Sequence, residues 1–244
     1  MKRLLSLLII SILCITGCNS VKESEECNYT SSDFPQQKSY VIPSEQQKEI
    51  YSVEDFEKFY DEYLKLNNIT LESLSENEKT EMSEEDKLKY YTIQDITPKE
   101  VKEEIGCQIF KVNNSCESYV VYKSKVFHIG LGFGGFGIVS LEACDFDENG
   151  QKDLIYTFSW GSGLHRSHVG LLNLSEGKEK WLDFTQMNED LMLKKMSENN
   201  FKLYSVEVSC ENKLDYINLK LSSKEHVADV KKIDGRIEVK KCDN

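Results

Sequence analysis

The spacing of apolar residues changes near residue 107. Before that point, apolar residues recur every three or four positions and predict a helix that begins at Ser52: Val53, Phe56, Tyr60, Tyr63 and Leu64. A second helix is predicted from Thr97-Pro98 to Gly106, because proline suits a first helical turn and glycine a helix end. Residues 75–91 are highly charged and fit either a solvated helix or a loose acidic loop.

After residue 107 the pattern is typical of strands. The predicted segments are 107–112, 118–122, 125–130, 136–144, 153–160, 168–174, 201–209, 214–221, 226–233 and 236–240. Asn113-Asn114 and Asp234-Gly235 supply hairpin turns between neighbouring segments. Helices followed by a run of strands predict an α+β fold, with N-terminal helices ahead of a largely antiparallel sheet or meander.

The first eighteen residues follow a third pattern, MKRLLSLLIISILCITGC. Two basic residues precede about a dozen apolar ones, too few for a membrane-spanning helix of ~20 residues, and this layout is typical of a signal peptide. Its end, Ile15-Thr16-Gly17-Cys18, resembles the bacterial lipobox. The resemblance implies cleavage before Cys18 and acylation of that cysteine, which would anchor the mature chain in a membrane. An ordinary secretory signal and an uncleaved anchor remain as alternatives.

The lipobox resemblance gives the expected domain order and location. Residues 1–17 form the signal peptide, residues 18–50 a polar lipidated tether, and residues 51–244 one extracytoplasmic domain. The protein would face the periplasm or the exterior. Position 19 is Asn rather than Asp, which by the same resemblance disfavours inner-membrane retention, so the outer membrane is favoured where one exists.

The charge balance narrows the class of partner. The precursor has 42 acidic and 30 basic residues and a net charge of −12. A surface of this sign repels phosphate backbones, so nucleic-acid binding is not expected. The same surface is compatible with divalent cations, although most of these charges need do no more than keep the protein in solution.

Six cysteines follow Cys18, and they are even in number: Cys27, Cys107, Cys116, Cys144, Cys210 and Cys242. An even number in an exported protein predicts three disulfides, although the pairing stays open among 15 possibilities. Spacing around the predicted turn favours Cys107 with Cys116, and Cys210 with Cys242 would fix the C-terminus. A zinc site is the competing interpretation, but it lacks any CxxC pair.

One acidic segment has the ligand spacing of a calcium loop. Oxygen-bearing side chains stand at its positions 1, 3, 5 and 9, glycine at 6, and a residue able to offer its carbonyl at 7: Asp145, Asp147, Asn149, Asp153, Gly150 and Gln151. Calcium prefers six to eight oxygen ligands, and glycine permits the sharp reversal of such a loop. A solvated Asp/Asn/Gly hairpin would use the same residues for turn formation.

This segment resembles the DxDxNGxxDL loop of the FG-GAP/VCBS class and not an EF-hand, since position 12 is Tyr156. The resemblance covers about twenty residues and implies that the loop joins two antiparallel strands. It also implies a structural calcium bound by five residues: Asp145, Asp147, Asn149, Gln151 and Asp153. The chain has one such loop, so a propeller is not supported.

A glycine-rich polar segment after the next strand is the other candidate site. It contains Trp160, His165, Arg166 and His168, which could form a ligand site or, in a hydrolase, catalytic groups beside the metal. Local hydrogen bonding by the histidines is the plainer interpretation. We therefore expect an envelope binding or scaffolding protein with structural calcium, anchored by its lipid and contacting a protein or other envelope partner. An extracytoplasmic hydrolase is the alternative, and the balance leans against an enzyme.

Overall fold

Alternating and continuous runs of apolar residues form thirteen strands and two helices among the described residues. The computed structural model describes residues 40–41, 50, 52–66, 83, 92–161, 163–210 and 217–242. All of them belong to one unit, Phe34–Asn244. The signal peptide, Cys18, Cys27 and most of the predicted tether lie outside the described residues.

The helices are α1 (Val53–Leu66) and α2 (Lys99–Ile105). The strands are β1 (Tyr40–Val41), β2 (Ile93–Asp95), β3 (Gln108–Val112), β4 (Ser118–Tyr122), β5 (Lys125–Ile129), β6 (Gly137–Cys144), β7 (Asp153–Trp160), β8 (Arg166–Asn173), β9 (Lys178–Met187), β10 (Asp190–Ser197), β11 (Asn200–Cys210), β12 (Leu219–Ile233) and β13 (Arg236–Lys241).

The strands form three antiparallel sheets. The first has the order β1-β5-β4-β3-β2, the middle sheet β6-β7-β8-β9, and the third β10-β11-β12-β13. Every strand except β1 pairs with a strand that directly precedes or follows it in sequence, because short hairpins connect most of them. Asp234 and Gly235 have φ values of 48° and 77° and join β12 to β13, which confirms the hairpin predicted there.

The sheets are stacked as layers with α1 outside the first. Phe56, Tyr60 and Leu64 of α1 pack on one face of the first sheet, and the Phe56 and Phe110 rings stack with centroids 4.5 Å apart. The other face of the first sheet packs on the middle sheet through residues such as Ile109. The opposite face of the middle sheet packs on the third sheet through a separate core that includes Ile155, Leu203 and Val230.

Burial on both faces explains the sequence of β7. Leu154, Tyr156 and Phe158 face the first sheet, whereas Ile155 faces the third. A strand covered on both sides gains from apolar residues at successive positions, so β7 has a continuous apolar run in place of alternation.

The predicted α+β class is wrong. Strands make up 57% of the described residues, and α1 and α2 are the only helices found there, so the fold is mainly β. Both predicted helices exist, and Ser52 Oγ accepts the Asp55 backbone N–H at 3.2 Å as a capping box requires. The error arises because β9 and β10 were not predicted, although β9 alternates buried and exposed positions.

The predicted disulfides are also wrong. No disulfide joins any of the five cysteines in the described part of the chain: Cys107, Cys116, Cys144, Cys210 and Cys242. The first three are buried in apolar surroundings and pack as small hydrophobic residues. The middle and third sheets already supply extensive apolar cores, so this fold does not need the cross-links of a small exported domain. No helix among the described residues is long and apolar enough to cross a membrane.

Candidate metal centre

The acidic loop joins β6 to β7, as the sequence predicted. Cys144 and Asp153 are cross-strand partners, and the eight residues between them form the turn. Glu148 and Gly150 have positive φ values of 59° and 82°, and the glycine adopts this left-handed conformation without steric cost. The hairpin therefore turns back sharply, with Asp145 at its start and Asp153 at its end.

The backbone of the loop wraps around its own acidic side chains. The two carboxylate oxygens of Asp145 accept the N–H groups of Asn149 and Gly150, each at 3.1 Å. Asp147 Oδ1 accepts the Asn149 N–H at 3.2 Å, and the Asn149 side-chain oxygen accepts the Gln151 N–H at 2.7 Å. Positions 1, 3 and 5 of the loop thus point toward its interior.

A single amide connects positions 3 and 9. Asn173 Nδ2 lies 3.3 Å from Asp147 Oδ2 and 3.4 Å from Asp153 Oδ2, and Leu174 N–H donates to Asp153 Oδ1 at 2.9 Å. Asn173 ends β8, beside the strand that Asp153 begins. The amide nitrogen partly offsets the repulsion between two carboxylates that the fold holds close together.

Asp153 is a buried carboxylate of the acidic loop. Its residue is 7% exposed. Burial, followed by the nearby charges of Asp147, Asp145 and Glu176, raises the pKa of Asp153 to about 6. A carboxylate in such surroundings favours a nearby positive charge, which a proton or a metal ion can supply.

The third sheet fixes the outer side of the loop. Asn199 exchanges two hydrogen bonds with the Asp145 backbone, at 2.9 Å and 2.6 Å. Lys232 lies 3.1 Å from Glu148, and Lys152 pairs with Glu198. Sequence reasoning missed Asn173 and Asn199, since isolated asparagines are common in turns and carry no spacing signal.

The donors suit calcium, but they are not gathered into a coordination shell. All are hard oxygen ligands, and three are carboxylates. Within the described residues, no three His, Cys, Asp or Glu side chains surround one point closely enough to hold an ion. Coordination therefore requires Asp147 and Asp153 to turn from the Asn173 amide toward a common centre.

The Trp160–His168 segment lies at the opposite end of the middle sheet. The acidic loop precedes Asp153, the first residue of β7, whereas Trp160 is the last residue of that strand. Eight residues of extended strand separate the two ends by roughly 23 Å. The hydrolase alternative expected the histidines and Arg166 to stand beside the metal loop, and in the structure they do not.

Three of the four candidate side chains form a stack, and His165 stands apart from it. The Trp160 and His168 rings are stacked, with centroids 6.2 Å apart. His165 Nε2 lies 3.0 Å from Asp190 Oδ1 in the third sheet. The Arg166 guanidinium lies over the Trp160 ring, 5.2 Å from its centroid, and donates to the Leu164 carbonyl at 3.2 Å. These contacts fix the connection between β7 and β8.

His168 belongs to the core. It is 5% exposed, its ring lies near Phe158 and Trp181 with centroids 5.4 and 5.5 Å away, and Thr185 Oγ1 is 3.3 Å from its Nδ1. Burial lowers the pKa of His168 to about 4, so the ring is neutral at physiological pH. This histidine packs as an aromatic residue.

The same end of the sheet exposes several large apolar side chains. Phe133, Leu164 and Met187 are 67%, 44% and 40% exposed. Phe133 lies on the connection before β6, Leu164 on the connection between β7 and β8, and Met187 is the last residue of β9. The Gly161 N–H donates to the Phe133 carbonyl at 2.8 Å, which joins two of these connections. We call these three residues the apolar tip.

Comparison with known protein families, with curated proteins and with solved structures finds no match to this chain.

Proposed function

We propose that this protein is an exported lipoprotein, anchored through Cys18, that acts at the cell envelope as a binding or scaffolding protein and carries a structural calcium ion. The acidic loop Asp145–Asp153 is the observation that supports the proposal most strongly. Three sequence-predicted ligands there have inward-facing carboxylates, and one of them is buried with a raised pKa.

Calcium would have a structural role in this fold. Asp145 is hydrogen-bonded to Asn199 in the β10–β11 turn of the third sheet, and Asp153 begins β7 of the middle sheet. A cation shared by Asp145, Asp147 and Asp153, with Asn149 and the Gln151 carbonyl as further ligands, would replace carboxylate repulsion by attraction. The ion would thus fix the hairpin that connects these two layers.

Binding is favoured over catalysis by the arrangement of the opposite end. His165 pairs with Asp190, whereas Arg166 and His168 both lie against the Trp160 ring. A surface depression next to the loop, of about 180 Å³, is lined by Gln151, Leu174, Ser175 and the β4–β5 hairpin. The apolar tip lies beside the Arg166–Trp160 stack. Exposed apolar residues next to tryptophan and arginine are typical of protein interfaces, so the partner we infer is another envelope protein.

The proposed export and membrane attachment are supported by the sequence of the N-terminus. The short apolar core ends in Ile15-Thr16-Gly17-Cys18, and a polar segment follows it before the first sheet begins at Tyr40. Two or more acyl chains on one cysteine give stable attachment, since each buried methylene contributes ~0.8 kcal/mol.

Fractionation of cells that express wild-type protein and Cys18→Ser tests the anchor. We expect wild-type protein in the membrane fraction, shifted in mass by the acyl chains. Cys18→Ser lacks the acylated sulfur and should lose both properties. Cys27→Ser, which removes a cysteine outside the lipobox, is the matched control and should behave as wild type. Membrane attachment of Cys18→Ser, or wild-type protein of unmodified mass, would contradict the proposal.

A further inference from the structure

The third sheet places a thiol against an imidazole. Cys242 follows β13, and its backbone N–H donates to the Val227 carbonyl at 2.9 Å, which extends the β12–β13 ladder. Its Sγ lies 3.6 Å from His226 Nδ1 and 3.7 Å from His226 Nε2. Sixteen residues separate the two in sequence, and the β12–β13 hairpin brings their backbones close together.

A β-bulge makes this contact possible. The β12–β13 register continues to the pair Val227 and Cys242, and in a regular strand His226 would face the other side of the sheet. On the β11 side, however, the pairing passes from Ala228 directly to His226 and skips Val227. The extra residue rotates β12 locally, as bulges do, and turns the imidazole toward the thiol.

The hydrogen bonds of His226 determine which nitrogen carries the proton. Nε2 lies 2.9 Å from Asp229 Oδ1 and 3.0 Å from the Ala228 carbonyl oxygen. Both neighbours accept hydrogen bonds, so Nε2 bears the hydrogen of the neutral ring. Nδ1 is then the nitrogen able to accept a proton, and the Cys242 sulfur lies 3.6 Å from it.

Asp229 has a further partner that keeps it charged. Lys231 Nζ lies 3.1 Å from Asp229 Oδ2. Burial acts to raise the pKa of Asp229, but hydrogen bonds from Lys231 and His226 outweigh it and hold that pKa below its usual value. The carboxylate therefore orients the imidazole and stabilises it when it gains a proton. On the β11 side, the Tyr204 ring packs near the imidazole, with its centroid 5.4 Å from that of His226.

We propose that Cys242 is the nucleophile of a thiol-exchange site that reacts with low-molecular-weight disulfides, with His226 as proton acceptor and Asp229 as a positioning residue. The thiol proton passes to His226 Nδ1, and the thiolate attacks one sulfur of the disulfide. The S–S bond breaks as a new one forms to Cys242. The departing thiolate takes the proton from the imidazolium, so no other oxidant is needed.

Two features favour disulfide exchange over other reactions of a thiol. Disulfide exchange needs only a nucleophile and a proton acceptor, whereas acyl transfer also needs donors for an oxyanion. Disulfides occur outside the cytoplasm, and here the inference rests on the proposed export. The buried cysteines are poor competitors, because burial raises the pKa of Cys107 to about 12 and also raises that of Cys144.

Limited alkylation of the purified full chain by iodoacetamide tests the thiol. Peptide mass spectrometry then compares Cys242 with Cys210, a cysteine of the same sheet that is also half-buried. We expect Cys242 to react at least about tenfold faster, because the imidazole beside its sulfur can take the thiol proton. His226→Gln should remove that advantage. His165→Gln, which breaks a different histidine–aspartate pair, should keep it.

Oxidised glutathione then tests the substrate class. Wild-type protein should gain one glutathionyl group at Cys242, and a reducing agent should remove it. Asp229→Asn should slow this reaction and Asp229→Glu should restore it, whereas a merely structural residue would not show such rescue. Equal reactivity of Cys242 and Cys210 in wild-type protein would overturn the proposal, even if His226→Gln fails to fold. These measurements need neither the lipid nor calcium, so their failure is distinct from failure of the proposed function.

Discussion

At the scale of single residues, sequence spacing predicted the direction of the acidic-loop side chains better than it predicted the contacts of the histidines. The aspartates are fixed by the hairpin that contains them, so their positions within the loop imply their direction. His165 and His168 stand three residues apart, but one lies before β8 and the other within it, and their partners come from distant segments. The partners of a lone histidine depend on tertiary packing, which local sequence does not show.

Protonation of His168 should destabilise the fold in acid. The folded-state pKa of about 4 lies below the ordinary value of 6.5, so the unfolded chain binds more protons between these two pH values. The free energy of unfolding should therefore fall as pH drops from 6.5 to about 4, by up to about 3 kcal/mol. His168→Phe keeps an aromatic ring and cannot titrate.

Denaturant unfolding across this pH range measures the effect. Other groups titrate in both proteins, so the difference between the wild-type and His168→Phe curves isolates the histidine. We expect the variant to lose the hydrogen bond to Thr185 at every pH but to gain relative stability in acid. Parallel curves for the two proteins would show that His168 is accessible to protons in the folded state.

At the scale of elements, turn residues were the most informative signal. Asp234-Gly235 and the acidic loop fixed two hairpins, and Gly106 ends α2 with a φ of 73°. Pro98 takes the N-cap position of that helix, and Thr97 Oγ1 accepts the Ile109 N–H at 2.8 Å. Strand β10 was missed because only one of its faces is apolar and lysines interrupt it.

Gly170 leaves room for the Tyr156 ring of the neighbouring strand because glycine has no side chain. It lies opposite Tyr156, and a Cβ at position 170 would come within 2.4 Å of the tyrosine ring. Tyr156 is fully buried, so its ring has little room to move. Gly170→Ala should therefore overpack the interface with the first sheet and lower the free energy of unfolding by roughly 1–3 kcal/mol.

Denaturant titration compares the stability lost in Gly170→Ala with that lost when a glycine with open surroundings is substituted. Gly235→Asn is a suitable control, because nothing lies within 4 Å of a Cβ at that position and asparagine tolerates a φ of 77°. We expect the control to change stability by a few tenths of a kcal/mol. An equally small change in Gly170→Ala would mean that the Tyr156 ring does not press on the strand as described.

At the scale of the whole molecule, the layer order could not be read from the sequence. Strands β3 to β5 and β7 were predicted with nearly correct bounds, yet nothing in their patterns assigns them to different sheets. The middle sheet is covered on both faces, and its two ends carry different chemistry: acidic side chains at one and the apolar tip at the other. Asp153 and Trp160 begin and end β7, so this one extended strand places the two candidate sites at opposite ends of the sheet.

The central claim is that the acidic loop binds calcium and thereby stabilises the stacked sheets. Thermal melts of the purified mature chain in calcium, in magnesium and in chelator test it most directly, with Asp147→Ala as the loop variant. Asp183→Ala removes an exposed aspartate of β9 and serves as the matched control. Magnesium demands a tighter octahedral shell and should have a smaller effect than calcium.

At a calcium concentration of 100 times the dissociation constant, binding adds ~2.7 kcal/mol, which raises the melting temperature of a domain of this size by roughly 5–10 °C. We predict that rise for wild-type protein and for Asp183→Ala, and its loss in Asp147→Ala. A melting temperature that does not change with calcium, or a rise that persists in Asp147→Ala, would contradict the assignment of the loop as a calcium site.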